Sequence, residues 1–306
     1  MRSIIIATTA TVTLFSSPAF AQQSSQRTAS IPDFSGIWVH PSLPGFEPPS
    51  SGPGPVTNRS RLSGGPQKGV GNPAQLVGDY TNPILQPWAA EVVRKHGEIS
   101  LAGVAYPNPW NQCWPAGLPF IFSNPGIQLL QRPEKITILY QQDHEFRQVW
   151  MNQRHPAQVM PSWHGDSVGH YEGDTLVIDT VGIKVGPFSM VDWYGSPQTE
   201  ALHVVERYQL LDYAGAKEGL ERDAKENLQF PGGTDDGPAP DPNYVGKHLQ
   251  LQFTVEDERV FTTAWSATIT YRHPLDEWAE YVCAENRHVY WAGVDTAVPA
   301  ADKPDF

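Results

Sequence analysis

GDSVGHYEGDTLVIDT, running from Gly165 to Thr180, is the stretch that decides how this chain folds. Ser167 to Tyr171 and Thr175 to Val181 flank Glu172-Gly173-Asp174, and two strand-like runs around a Gly-containing tip mark a β-hairpin. With Gly173-Asp174 as a two-residue turn, Asp179 stands opposite Val168 and lies diagonal to His170 on one face. A turn centred on Glu172-Gly173 shifts the register and loses that pairing.

The same pattern repeats outward. Ile136 to Tyr140 and Phe146 to Met151 flank a polar Asp143-His144 tip, and Ala201 to Leu211 is rich in β-branched and aromatic residues. Leu249 to Val255 alternates with polar residues, turns at Glu256-Asp257-Glu258 and returns from Val260 to Tyr271. Asp33 to Val39 reads as the first strand and Glu277 to Arg287 as the last. These amount to about eight strands joined mostly as sequential hairpins. Closing them into an up-and-down barrel removes both sheet edges, so we predict an all-β, mainly antiparallel barrel; a two-sheet sandwich is the alternative. Long insertions interrupt it at about 41–125 and 212–246. Within them, Pro41 to Asn72 is expected to be a surface excursion, Pro87 to Gly97 carries helix start and stop signals, and Tyr213 to Leu228 permits a second helix closed by a loop from Pro231 to Pro242.

Residues 1–21 read as a secretory leader: Met1-Arg2 is positive, Ser3 to Phe15 is apolar, and Ala19-Phe20-Ala21 is a small-x-small cleavage site. Cleavage after Ala21 would leave one domain over 22–306, periplasmic or secreted. The apolar run is shorter than the roughly 20 residues a bilayer span needs and is followed by polar Gln and Ser, so no stable membrane insertion is expected. The formal net charge of -12 disfavours nucleic acid and anionic membranes as partners, since both reward Lys and Arg. Cys113 and Cys283 are the only cysteines, and in an exported chain they read first as one disulfide, then as a free buried pair, and last as catalytic.

Two resemblances follow. Gly36-Ile37-Trp38 resembles the G-x-W element that opens lipocalin-like barrels, where the Trp packs over the closed end. The segments Asp33–Trp38, Gly165–Thr180, Thr199–Tyr208 and Glu280–Asn286 together resemble a large family of exported bacterial proteins. That resemblance implies export and a common barrel, and it brings no catalytic residues with it.

Chemistry gathers around the central hairpin. His170, Asp179, His203, Glu206 and Arg207 are the candidate catalytic residues, because a His beside a carboxylate is the usual kit for acid–base work near neutral pH. His203 and Arg207 share one strand face; Glu206, Tyr208, Leu202 and Val204 share the other, so an acid or base is expected among apolar residues. Tyr140, Arg147, Trp163, His164 and Tyr171 are the candidate binding residues for a small hydrophobic or aromatic molecule. For any one of these residues a satisfied structural role is the competing reading.

No Gly-rich phosphate motif is present, which disfavours a nucleotide cofactor, and no G-x-S-x-G elbow favours a serine nucleophile; no cofactor is assigned. His155, His164, Asp166 and His170 would be the ligands of a metal-dependent hydrolase, but they lack a recognised spacing and no metal is assigned. The functional expectation is therefore a cofactor-free lyase, decarboxylase or isomerase. A non-catalytic carrier or sensor of an apolar compound is the main alternative, and an envelope structural protein is a further one.

Overall fold

The computed structural model describes residues 31–41, 45–63, 75–227, 240–275 and 282–283, with the side chains of 222–227 set aside. The expected leader and most of the strand predicted from Glu277 lie outside these residues, as does most of the loop from Pro231.

Nine strands follow one another around a single sheet in chain order. They are β1 (Gly36–Val39), β2 (Gly126–Gln131), β3 (Lys135–Tyr140), β4 (Phe146–Met151), β5 (Asp166–Glu172), β6 (Thr175–Val181), β7 (His203–Leu211), β8 (His248–Glu256) and β9 (Trp265–Tyr271). Reciprocal bonds between Val39 and Arg272 bring β1 back to β9, and Thr268 N–H donates to Glu47 O. The sheet is thus a nearly closed β-barrel, as the strand count predicts. β2 was not among the expected strands. Its Ile127 and Leu129 alternate with Gln128, but exposed Leu130 blurs the period.

The barrel departs from a pure up-and-down order at one place. β4 and β5 run parallel, so residues 152–165 carry the chain back along the outside before β5 begins. This crossover is held against the wall, with Ser162 N–H on Gly182 O and Lys184 N–H on Ser162 O.

Alternation fills the axis. Ile136, Ile138 and Tyr140 on β3, Val204, Glu206 and Tyr208 on β7, and Leu249, Leu251, Phe253 and Val255 on β8 all point inward and are buried. At one end Trp38 Nε1 donates to Phe34 O, and Gln131 bridges Pro32 O and the Tyr171 hydroxyl. Trp38 of the opening strand is buried there.

Two insertions behave differently from expectation. The segment predicted as a surface excursion puts Phe46 and Val56 into the core and buries Glu47, which pairs with Arg61 at 2.9 Å. It does so because it runs beside β9 and completes the seam. Helix α1 (Pro87–Leu101) continues past Gly97, which serves close packing: a Cβ there would lie 3.0 Å from Val77 Cγ1. The helix instead stops before Gly103, whose φ of +73° favours glycine. Helix α2 (Tyr213–Asn227) lies where the sequence places it and packs on β8 and β9.

Cys113 and Cys283 form a disulfide across a sequence separation of 170. Such a long loop is the case in which a cross-link restricts the unfolded chain most. Reduction, or the Cys113→Ser/Cys283→Ser pair, is expected to lower stability by about 2–4 kcal/mol in urea unfolding at fixed pH.

Candidate functional site in the barrel wall

The parallel pair opens the wall. β4 meets β5 only at Val149–Ser167, Trp150–Val168 and Met151–Gly169, so Phe146 to Gln148 diverge from the start of β5. A cleft of about 520 Å³ fills this gap, a volume typical of small-molecule sites. Its sides come from the β3–β4 tip, from β4, from the end of the crossover at Trp163 and His164, and from Asp166 and Ser167 at the start of β5.

Local backbone geometry sets these side chains. Asp143 and His144 adopt left-handed φ values of 53° and 50°, which turn the chain tightly into Glu145. Gly165 has φ +66°, and a Cβ there would meet Val181 O at 2.5 Å, so glycine alone lets His164 and Asp166 flank this bend.

His164 is the centre of the polar group. Its Nε2 lies 2.9 Å from Glu145 Oε2, while Glu145 Oε1 accepts a hydrogen bond from Ala116 N–H. The carboxylate is thus fixed, and it favours the Nε2–H tautomer of the imidazole. The Nδ1 atom then carries a lone pair, and it is buried without a hydrogen-bond partner. The imidazole stacks on Tyr140, with ring centroids 5.7 Å apart and planes at 20°.

Behind the cleft Arg147 meets Glu206 in a two-pronged ion pair, Nη1–Oε1 at 2.5 Å and Nη2–Oε2 at 2.6 Å. Tyr208 donates to the same carboxylate at 2.9 Å. Burial opposes the Arg147 charge, but the facing Glu206 carboxylate more than offsets this and holds the guanidinium above its ordinary range. Burial pushes the Tyr140 and Tyr208 hydroxyls upward too, so both stay protonated donors.

Aromatic surface surrounds the mouth. Trp163 packs edge-on against Trp114, and Lys184 Nζ sits 4.7 Å above its ring centroid. Phe146 and Trp150 are 59% and 41% exposed, which leaves their rings open at the lip.

Of the predicted binding residues, Arg147, Trp163 and His164 line the cleft and Tyr140 lies under His164, whereas Tyr171 sits at the barrel end with Gln131. The predicted catalytic residues divide between the two faces. Glu206 points inward to Arg147; His170, Asp179, His203 and Arg207 point outward.

On the outer face the two-residue turn at Gly173-Asp174 gives the register Val168–Asp179, which leaves His170 diagonal to Asp179. Each nonetheless has another partner: His170 Nε2 contacts Glu172 at 3.1 Å, and Arg207 reaches the same carboxylate. Asp179 joins a ladder instead. Asp166 Oδ1 meets His155 Nδ1 at 2.6 Å, His155 and His203 both direct Nε2 at Asp179 Oδ1, at 3.3 and 2.9 Å, and Glu256 faces His203 Nδ1.

The sequence reading did not include Glu145. It stands between a turn and a strand with no distinguishing spacing, and it reaches His164 only because the crossover returns there. Among the described residues no group of three or more His, Cys, Asp or Glu is arranged to hold a metal ion, and no helix is long and apolar enough to cross a membrane.

Compared with known proteins, the chain matches no family model, no curated protein and no solved structure. What the geometry defines is a β-barrel with a polar and aromatic cleft in its wall.

Proposed function

We propose that this chain is an exported β-barrel protein that takes a small aromatic molecule into the β4–β5 cleft and acts on it by acid–base chemistry without a cofactor. The observation that carries this reading is the Glu145–His164 pair beside Trp163: a carboxylate-oriented imidazole lining the cleft next to an aromatic wall. A general base needs its lone pair free and its tautomer fixed, and Glu145 supplies the second condition. The aromatic rings supply flat apolar surface for a ligand of matching shape.

The disulfide and the formal net charge of -12 support an exported protein that handles neither nucleic acid nor anionic lipid. The outer-face ladder reaches the cleft through Asp166 and holds the crossover by His155, so it supports the site from behind rather than forming a second one.

The test is native mass spectrometry of the purified protein with a mixed panel of small aromatics, repeated with His164→Asn. The expected result is a retained compound that is chemically altered by the native chain and unaltered by the variant, with affinity within a few-fold. A compound retained but unchanged by both proteins makes the chain a carrier. Retention of nothing by either removes the cleft as a site.

A further inference from the structure

From Phe146 to Gln148 the edge of β4 that faces the cleft has lost its neighbouring strand. Tyr140 N–H donates to Glu145 O and Met151 N–H to Glu134 O, so Glu145, Arg147, Val149 and Met151 turn their main-chain groups to the β3 side. Alternation turns those of Phe146, Gln148 and Trp150 toward β5, and Asn152 N–H on Gly169 O continues that series. The pairs from Val149–Ser167 to Met151–Gly169 account for both groups of Trp150 and for Gln148 C=O, which accepts from Ser167 N–H. Two residues further back, Gly165 would stand opposite Arg147. It turns away instead: at φ +66° its N–H donates to Ser162 O at 3.1 Å and its C=O accepts from Ser162 Oγ at 2.9 Å.

Phe146 N–H, Phe146 C=O and Gln148 N–H therefore face the gap with no hydrogen-bond partner among the described residues. Both residues are exposed and line the cleft. Donor, acceptor and donor along one strand edge are the complement of an extended peptide. In the β4–β5 register, a residue opposite Arg147 donates its N–H to Phe146 C=O and accepts from Gln148 N–H, as Ser167 does between Gln148 and Trp150. The carbonyl two residues before it meets Phe146 N–H. Side chains follow the same pleat. The residue opposite Arg147 faces the inner side, which Arg147, Thr180 and Glu206 already fill, so a small residue fits there. The residue before it lies on the outer side beside the exposed Phe146 ring, across the cleft from Trp163, where an aromatic side chain finds aromatic neighbours.

We infer that the cleft takes its aromatic ligand as part of an extended peptide, an aromatic residue followed by a small one, whose main chain adds to β4 as a short parallel strand. This rests on the proposed reading of the cleft and names its substrate class. A bare aromatic molecule leaves the three main-chain groups to water, whereas the peptide pairs all of them. The rings at the lip then set where the ligand lies, and the amides set which ligand it is.

The test uses N-acetylphenylalanyl-glycinamide, its ester analogue with oxygen in place of the glycine N–H, N-acetylalanyl-glycinamide, and the panel of small aromatics. Binding is read by tryptophan fluorescence, and amide hydrogen exchange of the native chain by NMR. The aromatic peptide is expected to bind about 10-fold more tightly than its ester, which offers Phe146 C=O no donor. It should exceed the alanyl peptide by a similar factor, the worth of one ring on an aromatic surface. At saturation, exchange at Phe146 and Gln148 should slow at least ~10-fold, with a smaller change at Arg147 and Val149, which β3 already pairs. Equal affinity for peptide and ester, or unchanged exchange at Phe146 and Gln148 under saturating peptide, overturns this inference. Small aromatics that still bind in that case leave the aromatic cleft standing. Binding of neither peptide nor any member of the panel overturns both.

Discussion

Glu206→Gln is expected to destabilise the protein by about 3–5 kcal/mol, because it leaves the Arg147 guanidinium charged, buried and facing a neutral amide. Both side chains are almost completely buried, at 1% and 0% exposure, so solvent offers no substitute partner. Arg147→Met is expected to fall in the same range for the converse reason, with Tyr208 left as the one donor to a buried carboxylate among the described residues. The double replacement Arg147→Met/Glu206→Leu should recover most of the loss, since neither charge then has to be desolvated. Urea unfolding of the two single variants and the double variant closes the cycle. Additive losses in the double variant would mean that the pair is not the energetic unit the geometry describes.

Acid is the second large lever, and it acts through buried histidines away from the cleft. His40 sits inside the barrel with Nδ1 near Pro41 O and Nε2 near Phe122 O, yet burial outweighs these carbonyls and takes its pKa down to about 4. His96 on α1 is brought to about 4 by the same cause. Each is depressed from an ordinary 6.5, so the unfolded chain takes up protons first. Their stabilising contribution is full above pH 6.5 and is lost as pH falls through 4, to the extent of about 3 kcal/mol each.

Asp192 works the other way. Burial raises its carboxyl from 3.8 to about 6, so its contribution is full below 3.8 and lost as pH rises through 6. On acidification from pH 7 to 4 it offsets roughly one histidine, and a net loss of about 3 kcal/mol remains. His40→Gln or His96→Gln should flatten the acid limb of a plot of unfolding free energy against pH, and Asp192→Asn should steepen it. An unchanged slope in both histidine variants would refute the assignment.

The fold was legible where the chain speaks locally. The hairpin from Gly165 to Thr180 announces itself by alternation and by Gly173; its register stood open between two turns, of which the structure takes Gly173-Asp174. Alternation put Glu206 on one face with Leu202 and Val204 and so foretold an acid or base among apolar residues, but not which face of the strand is interior. Arg147, Trp163 and His164 were legible as binding candidates. What local pattern does not carry is the parallel β4–β5 pair, because a crossover without regular structure has no period of its own. The cleft, and with it the role of Glu145, depends on that pair. The same cause separates His170 and Arg207 from Glu206: strand alternation showed that they differ in face, but only the assembled barrel shows which face meets the cleft.

The parallel pair also divides the barrel into two runs of consecutive antiparallel neighbours, β1 to β4 and β5 to β9. Each run can zip from its own turns, and the joint between them pairs only three residues of each strand. The cleft is that joint. Its walls come from both runs, so no part of the chain presents the whole site until the two shells have met, and a molecule seated there acts as a rivet between them. Because such a ligand has nothing equivalent to grip in the unfolded chain, occupancy stabilises the closed shell by mass action, by about 2.7 kcal/mol at a hundredfold excess over Kd.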